Sequence, residues 1–511
     1  MKVKRYFIAL FAVLLPTIAV WAMPPAEGVT TQEPVRNHIR KQAPMARRMA
    51  RKAKQDVAAT GRGLLLLVEY SDVAFQPTNT AQDFDSLMNG RNYTYNGAIG
   101  SVWKYFYDQS NGLCNLQFDV VGPIQLPQTM AYYGTDINTA EKDLDQYCAD
   151  LVMDACFIAD TVFGVDFSQY DADNDGFVDF VYIIYAGYAQ SDGAPSTTIW
   201  PHEWDIESVL AYGYTNQTTY YCDYDWEQGR IISENLPMVD GLTLNLYACS
   251  SELRYGDDTR IGIGTACHEF GHVLGLPDYY ITTGDPSMSA LKQYPAYWSL
   301  MSNGGHTNKG RTPPNLSAHD KYYLGWITPT QLTDYTTASL PADGQTYYAF
   351  THGILSATSP DTVWYFENRQ PSGWDTYLPG WGMLVWRVVY DEQDWTDNVP
   401  NDYSTRYALQ SADGVTLPAQ SSGRNTQPGL PFPGSANVTS YMPTNGCEVS
   451  SITINDGIVS FTFGTQPTAL GETRADLNAE GVWYDLLGRR VNPAAYHGLV
   501  VSRDGLFLFG K

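Results

Sequence analysis

Residues 261–279 constrain the chain more than any other segment, because they place two histidines at helical spacing within an apolar run. His268 and His272 are four residues apart, so on a helix both imidazoles project from one face and can bind one metal ion. Apolar neighbours at helical spacing predict that this helix is buried behind its ligands. Glu269 follows the first histidine, where its carboxylate can act on a metal-activated water without filling a coordination position. The pattern predicts a zinc centre with Glu269 as catalytic base.

The residues after the second histidine predict a third zinc ligand. Gly275 can adopt the left-handed conformation that ends a helix, and Pro277 prevents the helix from resuming. The chain then turns, so Asp278 can swing back towards the ion as the third ligand. His306 and Glu367 remain alternatives to Asp278 at this stage.

Met301 lies downstream of the zinc motif, in a segment that reads YWSLMSNGG. A methionine in a tight turn beneath a zinc site would be similar to the Met-turn of metzincins. The alternative is an ordinary core methionine.

A second segment predicts a binding site for a hard cation. Asp171, Asp173, Asp175 and Asp179 alternate around Gly176, which allows a tight bend. Carboxylates at such spacing suit calcium, although the loop is not a full EF-hand. The alternative is an aspartate-rich turn that is capped by hydrogen bonds.

Charge is divided unevenly along the chain. The 511 residues carry a net charge of −24, yet residues 1–60 contain eleven basic and only three acidic groups. The rest of the chain is therefore strongly acidic. Such a surface repels phosphate backbones, so we expect no nucleic acid among the partners.

The first 60 residues read as two processing segments. Basic residues precede a short apolar core, and Ala22 ends a small-x-small cleavage pattern, so residues 1–22 are predicted to be a signal peptide. Residues 23–60 form a basic, removable propeptide. With no other long apolar run, the protein is expected to be exported without an integral membrane segment, as a secreted or cell-surface zymogen.

The body is predicted to be α+β. Helical and strand patterns alternate over residues 61–330, which we interpret as the catalytic domain, and strand patterns dominate residues 331–465. The second region is expected to be β-sandwich-like, and residues 466–511 to form a short β tail. Among seven cysteines, Cys222 and Cys249 are the favoured disulfide pair.

The motif HEFGHVLGLPD at residues 268–278 resembles the active-site signature of the immune inhibitor A family of secreted zinc metallopeptidases. Other matching segments run from about residue 63 to 464: 66–72 (LLVEYSD), 101–112 (SVWKYFYDQSNG), 171–179 (DADNDGFVD), 185–188 (YAGY), 200–203 (WPHE), 324–326 (LGW), 367–370 (ENRQ) and 378–380 (LPG). The resemblance implies a zincin-like fold and hydrolysis of peptide bonds in protein or peptide substrates. Arg387 departs from the pattern, because a histidine is expected in that strand.

The end of the chain has a resemblance of its own. Residues 482–491 (VWYDLLGRRV) resemble the sorting domain used by the type IX secretion pathway, which implies that secretion machinery is a partner. The alternative is a terminal β-hairpin. Two other functions also stay open for the whole chain: a zinc hydrolase of narrow specificity, and a non-catalytic surface adhesin on the same fold.

Overall fold

The computed structural model describes residues 21–24, 61–137, 145–225, 227–228, 230–282, 295–414, 428–465, 482–492, 498–502 and 505–509. The apolar core of the predicted signal peptide and most of the predicted propeptide lie outside these residues. Within them, the expected mixture of helices and strands is confirmed.

A six-stranded sheet organises the first half of the described chain. Four consecutive strands of this sheet are parallel to one another, the fifth runs opposite to them, and a short edge strand pairs antiparallel with the fifth. In spatial order the strands are β1 (Trp21–Ala22), β5 (His202–Asp205), β10 (Leu246–Leu253), β4 (Val181–Tyr188), β2 (Arg62–Glu69) and β3 (Gln117–Gln125).

Helices cover both faces of this sheet. The helices are α1 (Ala81–Asn89), α2 (Val102–Gln109), α3 (Met130–Gly134), α4 (Cys148–Thr161), α5 (Ile206–Ala211), α6 (Ile263–Val273), α7 (Ala318–Tyr323) and α8 (Glu392–Thr396). Helices α1, α2 and α6 share one core, and α4 packs in the core on the opposite face.

Strand β2 is buried on both faces of the sheet. Its run of four leucines is fully buried: Leu65 and Leu67 lie in the core of α6, while Leu64 and Leu66 lie in the core of α4. Successive side chains of a strand point to opposite faces, so a strand covered on both sides reads as a continuous apolar run. The prediction of a buried strand here is confirmed.

The second half contains two more sheets that share a core. The five-stranded sheet is β11 (Thr330–Gln331), β13 (Tyr348–Phe350), β14 (Val363–Arg369), β15 (Gly382–Val388) and β16 (Tyr407–Gln410), and the three-stranded sheet is β12 (Thr336–Leu340), β18 (Ile458–Phe463) and β17 (Val449–Asn455). Phe366 of β14 contacts Phe461 of β18, with ring centroids 5.7 Å apart, so the sheets pack face to face.

Strands β14 and β15 also face the α6 core. Trp364 and Val385 belong to the core between the two sheets, whereas Tyr365 and Trp386 belong to the core of α6. Alternation along each strand thus places this sheet between two cores. The β-rich region therefore shares a core with the helix of the zinc motif.

Smaller elements complete the described chain. Two separate hairpins lie between β5 and β10 in sequence. They are β6 (Tyr221–Asp225) with β7 (Arg230–Asn235), and β8 (Met238–Val239) with β9 (Leu242–Thr243). The tail sheet contains β20 (Arg490–Val491), β19 (Trp483–Asp485), β21 (Gly498–Ser502) and β22 (Gly505–Phe509). Asp485 accepts backbone hydrogen bonds from Leu487 and Arg489, which fixes the turn between β19 and β20. None of the described helices is long and apolar enough to cross a membrane.

The predicted disulfide between Cys222 and Cys249 is wrong. All seven cysteines are free thiols, and each is buried. Cys249 lies beside Cys148 and His202 in the α4 core, whereas Cys222 lies with two glutamates near the β6–β7 hairpin. Sequence spacing carries no information on which cysteines meet, because sheet register decides that.

Arg369 links α7 to the β-rich region through a buried ionic network. Its guanidinium contacts Glu367 at 2.8 Å and Asp375 at 2.9 Å, and it donates to the carbonyls of Asn315 and Leu316. Its side chain is only 3% exposed. Removal of the cation would leave two buried carboxylates uncompensated.

Arg369→Ala should therefore lower the free energy of unfolding by about 3–5 kcal/mol, measured by urea denaturation. Arg62→Ala is the control: Arg62 pairs with Asp119 at the surface, with 51% of its side chain exposed, and such pairs contribute about 0–1 kcal/mol. Equal costs for the two variants would contradict this account of the network.

Candidate metal centre

Helix α6 carries the zinc motif and begins in close contact with the chain at Asn303–Gly310. A Cβ atom on Gly264 would overlap the carbonyl oxygen of Gly305, and one on Gly262 would overlap that of Gly310. Glycine at these positions lets the two backbones touch. Gly275 has a φ of 99° and donates to the His272 carbonyl, so the predicted left-handed helix end is confirmed.

Three ligand atoms converge at the end of α6. His268 Nε2 lies 3.2 Å from His272 Nε2, and Asp278 Oδ1 lies 3.2 and 3.3 Å from these two nitrogens. The edges of a tetrahedron around an ion with ligand bonds of 2.0–2.1 Å are about 3.3–3.4 Å long. The structure thus brings together the three predicted ligands at the spacing that one zinc-sized ion requires.

Backbone carbonyls orient both imidazoles. His268 Nδ1 lies 2.8 Å from the Leu300 carbonyl, and His272 Nδ1 lies 2.8 Å from the Leu276 carbonyl. Each Nδ1–H donates to its carbonyl, so each Nε2 keeps its lone pair for a metal ion. Burial lowers the pKa of His268, which favours the neutral imidazole that metal binding needs.

The β-rich region holds the third ligand. Asn398 Nδ2 donates to Asp278 Oδ2 at 2.7 Å, and the Asp278 amide donates back to Asn398 Oδ1. Asn401 donates to the Tyr279 carbonyl, and Asp402 accepts from Thr282. The loop of residues 398–402 therefore fixes Asp278 with one oxygen towards the histidines.

Glu269 lies beside the three ligands and is fully buried. Burial raises its pKa well above the usual range, and the charges of Asp278 and Glu203 raise it further. Neither of its carboxylate oxygens accepts a hydrogen bond of normal geometry from the described residues, although the main chain of Met23 is close enough to lower its pKa somewhat. Burial thus makes Glu269 a stronger base than an exposed carboxylate.

Met301 packs directly under α6. A Cβ on Gly271 would lie 2.6 Å from Met301 Sδ, and the Met301 carbonyl accepts from the Tyr279 amide at 2.8 Å. The neighbouring Leu300 carbonyl contacts His268. This turn thus touches the helix between the two histidines and the segment that carries Asp278.

A short N-terminal segment lies across the same site. Trp21 and Ala22 pair with Glu203 and His202 of β5, so β1 extends the edge of the sheet. Met23 is 1% exposed, its carbonyl accepts from the Trp200 indole at 2.8 Å, and the Pro24 carbonyl lies 2.7 Å from His306 Nε2. Residues 21–24 therefore lie along β5 in an extended conformation, beside Glu269.

The other candidates from the sequence lie in different surroundings. Glu367 contacts Arg369, the Trp386 indole and the Ala318 amide, and His306 contacts Pro24. Arg387 donates to the Thr405 carbonyl. None of these contacts involves the three converging ligand atoms.

The aspartate loop lies apart from this centre. Carboxylate oxygens of Asp171, Asp173 and Asp179 lie within 4.8 Å of one another. The Asp175 carboxylate instead accepts from the Phe177 amide, and Asp171 accepts from the amides of Asp175 and Gly176. The loop thus combines a carboxylate cluster with backbone capping.

Sequence reasoning missed two contributors to the site. Asn398 is 120 residues from Asp278 in sequence, and the only local signal was its place in the polar run DNVPND. Met23 was assigned to the propeptide without any contact to Glu269. Both depend on long-range packing, which no local pattern reports.

The donor set fits a bound cation. Asp278 Oδ1 and both oxygens of Glu269 are buried and have no hydrogen-bond donor among the described residues. Unpaired buried carboxylate oxygens are costly unless a positive charge compensates them. Two neutral imidazoles and one carboxylate are a common set for a zinc ion with an open fourth position.

Loss of the Asn398 amide should weaken metal binding. Asn398 has a φ of 57°, so Asn398→Gly removes the donor to Asp278 without backbone strain. Zinc affinity, measured by competition with a chelator, should fall roughly 10–100-fold. Asn437→Gly is the matched control, because Asn437 also has a positive φ, 51°, and is exposed far from the ligands. Equal affinity in the two variants would contradict the role of Asn398.

Comparison with known proteins agrees with this geometry. Residues 60–231 and 254–327 match the family model described as immune inhibitor A peptidase M6, catalytic domain. Immune inhibitor A of Bacillus thuringiensis subsp. alesti is 26% identical over 302 residues, which cover 51% of this chain and 39% of that protein. The pre-pro-metalloprotease PrtV of Vibrio cholerae serotype O1 is 22% identical over 300 residues, which cover 52% of this chain and 29% of that protein. The chain thus spans less than half the length of these curated relatives.

The matched ranges contain the whole ligand set of the site and the resembling segments between residues 66 and 326. Residues 60–231 and 254–327 of this chain belong to the immune inhibitor A peptidase M6 family.

Proposed function

We propose that this protein is an exported, zinc-dependent endopeptidase with a zincin-like catalytic region. The observation that carries the proposal is the convergence of His268, His272 and Asp278 at edges of 3.2–3.3 Å, beside the buried Glu269. The family of the matched ranges and the printed name of PrtV, a metalloprotease, support it.

Glu269 is assigned the proton transfers. When bound, a zinc ion polarises the scissile carbonyl and lowers the pKa of the attacking water towards neutrality. Glu269 accepts the proton of that water and delivers it to the leaving amine.

The edge strand β5 supports peptides as the substrates. It already pairs with an extended segment of the chain itself, Trp21–Ala22, through backbone hydrogen bonds that need no particular side chain. A substrate peptide would take the same place beside Glu269. The intact base and this edge favour a peptidase over a non-catalytic adhesin.

Met23 and Pro24, which begin the predicted propeptide, support latency of the precursor after removal of the signal peptide. Met23 is buried between α6 and the chain near Gly305, in the place where a substrate would lie. The rest of the predicted propeptide is basic and the body acidic, so long-range attraction favours their association. Removal of the propeptide would open the cleft.

Export and sorting belong to the same proposal. The predicted signal peptide directs export, and the tail sheet, with Asp485 fixing the YDLLGRR turn, would be recognised by type IX secretion machinery. The aspartate loop is proposed to bind calcium through Asp171, Asp173 and Asp179, with Asp175 at its rim.

Glu269→Gln should abolish most proteolysis while leaving zinc in place. The amide keeps the size of the side chain but cannot accept a proton, and loss of base catalysis typically costs about 10²–10⁴-fold. Cleavage of unstructured protein and zinc content by atomic spectroscopy are measured together. His272→Ala is the contrast, because it should lower zinc content and activity in parallel. Near-normal proteolysis by Glu269→Gln with bound zinc would contradict the mechanism.

Expression from Gly61 onward should give higher specific activity than the precursor, because the cleft is then open. Met23→Glu in the precursor should act in the same direction, since it puts a charge on a buried side chain that packs against Gly305 and so disfavours the docked segment. Initial rates on a quenched fluorescent peptide test both. Equal specific activity of the two forms would refute latency.

Millimolar calcium should raise the melting temperature of the protein, since an ion that binds only the folded state stabilises it by mass action. Asp173→Ala combined with Asp175→Ala should remove that rise. Differential scanning calorimetry with and without calcium makes the comparison. A calcium response that survives both changes would favour the capped-turn interpretation.

A further inference from the structure

A second group of metal-ligating side chains lies on the other face of the catalytic sheet. Cys148, His202 and Cys249 each present one ligand atom, and the three atoms lie within 4.8 Å of one another. All three residues are at most 4% exposed. Cys148 and Cys249 belong to the α4 core, whereas the catalytic ligands sit on α6 above the opposite face.

Three different elements build this group. His202 is the first residue of β5, and Cys249 stands directly opposite it on β10 in antiparallel register. Cys148 is the first residue of α4, where the positive end of the helix dipole favours a thiolate. Side chains alternate along β5, so His202 faces this group while Glu203, the next residue, affects Glu269 on the other face.

The spacing suits a thiolate–imidazole metal site. Cys148 Sγ lies 3.4 Å from His202 Nε2. A tetrahedral ion with a bond of 2.3 Å to sulfur and 2.0–2.1 Å to nitrogen would hold these atoms about 3.5–3.6 Å apart. Cys249 Sγ lies 3.6 Å from Nδ1 of the same imidazole and within the 4.8 Å cluster of ligand atoms. The Tyr247 hydroxyl lies 3.1 Å from Nε2.

The imidazole is oriented as metal-binding histidines usually are. His202 Nδ1 lies 2.6 Å from the Trp200 carbonyl and therefore donates to it. Nε2 then carries the lone pair, on the side of Cys148 and Tyr247. Asp145 lies 3.9 Å from Nδ1 and strengthens this orientation.

Charge balance also favours a divalent ion. Binding of one dication to two cysteines releases both thiol protons, so two thiolates, one neutral imidazole and the ion sum to zero charge. A neutral cluster can remain in a dry core, whereas a lone thiolate there is costly. Burial raises the pKa of Cys148, but contacts with Cys249 and His202 outweigh it, and the net shift is downward.

We propose that Cys148, His202 and Cys249 bind one thiophilic divalent cation, with zinc as the expected ion, at a structural site separate from the catalytic centre. The site joins α4 to the edge strand β5 and to the central strand β10. Its ion would hold in place the strand along which residues 21–24 lie. The proposal is independent of the protein's catalytic activity.

The test uses the full chain with the catalytic centre emptied by His268→Ala and His272→Ala. The protein is purified under reducing conditions, depleted of metal, and titrated with cobalt(II) and then zinc. We expect about one equivalent to bind, with a thiolate-to-cobalt charge-transfer band in the near ultraviolet. This measurement leaves both cysteines in place, so it does not depend on whether a cysteine variant folds.

Variants of the thiols then locate the ion. Adding Cys148→Ala and Cys249→Ala should remove the charge-transfer band and the bound equivalent. Cys156→Ala is the matched control, because Cys156 is equally buried on the same helix but lies outside the group. It should keep both signals.

Two results would overturn the proposal. One is the absence of a charge-transfer band in the chain with its thiols intact. The other is a disulfide between Cys148 and Cys249, detected by peptide mass mapping of protein from the oxidising medium, because it removes both thiolate ligands. Formation of that bond would release two protons and pass two electrons to an external oxidant.

Discussion

Three lone pairs directed at one point in the buried interior are the constraint on which the rest of this structure depends. Nε2 of His268, Nε2 of His272 and Oδ1 of Asp278 repel one another unless a cation lies between them, and all three residues are at most 2% exposed. Their positions must therefore be enforced from outside. The Leu300 and Leu276 carbonyls fix the rings, Asn398 fixes the carboxylate, and packing supplies the remaining rigidity.

The local part of this site could be predicted from sequence. Helical spacing brought His268 and His272 to one face, Gly275 ended the helix in a left-handed turn, and Asp278 returned to the ligands. The structure places these residues where the inferences require them, because each inference spans fewer than a dozen residues, over which backbone geometry is nearly determined. The leucine run of β2 could likewise be predicted to be a buried strand, because a strand that is buried on both faces has a continuous apolar sequence.

The distant part could not be predicted. Asn398 contacts Asp278 across 120 residues of sequence, in a region where β14 and β15 share a core with α6. Residues 21–22 contact β5 because they pair with it along the edge of the sheet. The expected Cys222–Cys249 bridge failed for the same reason, since the register of β10 against β5 places His202, not a cysteine, opposite Cys249. Chain register and sheet packing are set by the sum of many weak contacts, and no single motif encodes them.

The five-stranded sheet contributes to two cores, and this limits where the chain can be truncated. The ranges that match the peptidase family end at residue 327, yet Tyr365 and Trp386 beyond that point complete the core around the zinc-motif helix, and Asn398 steadies the third ligand. A fragment that ended at residue 327 would expose apolar side chains of this core to solvent. It would also lack the Asn398 amide that donates a hydrogen bond to Asp278. The part of the chain whose side chains share this core is thus larger than the part that matches the peptidase family.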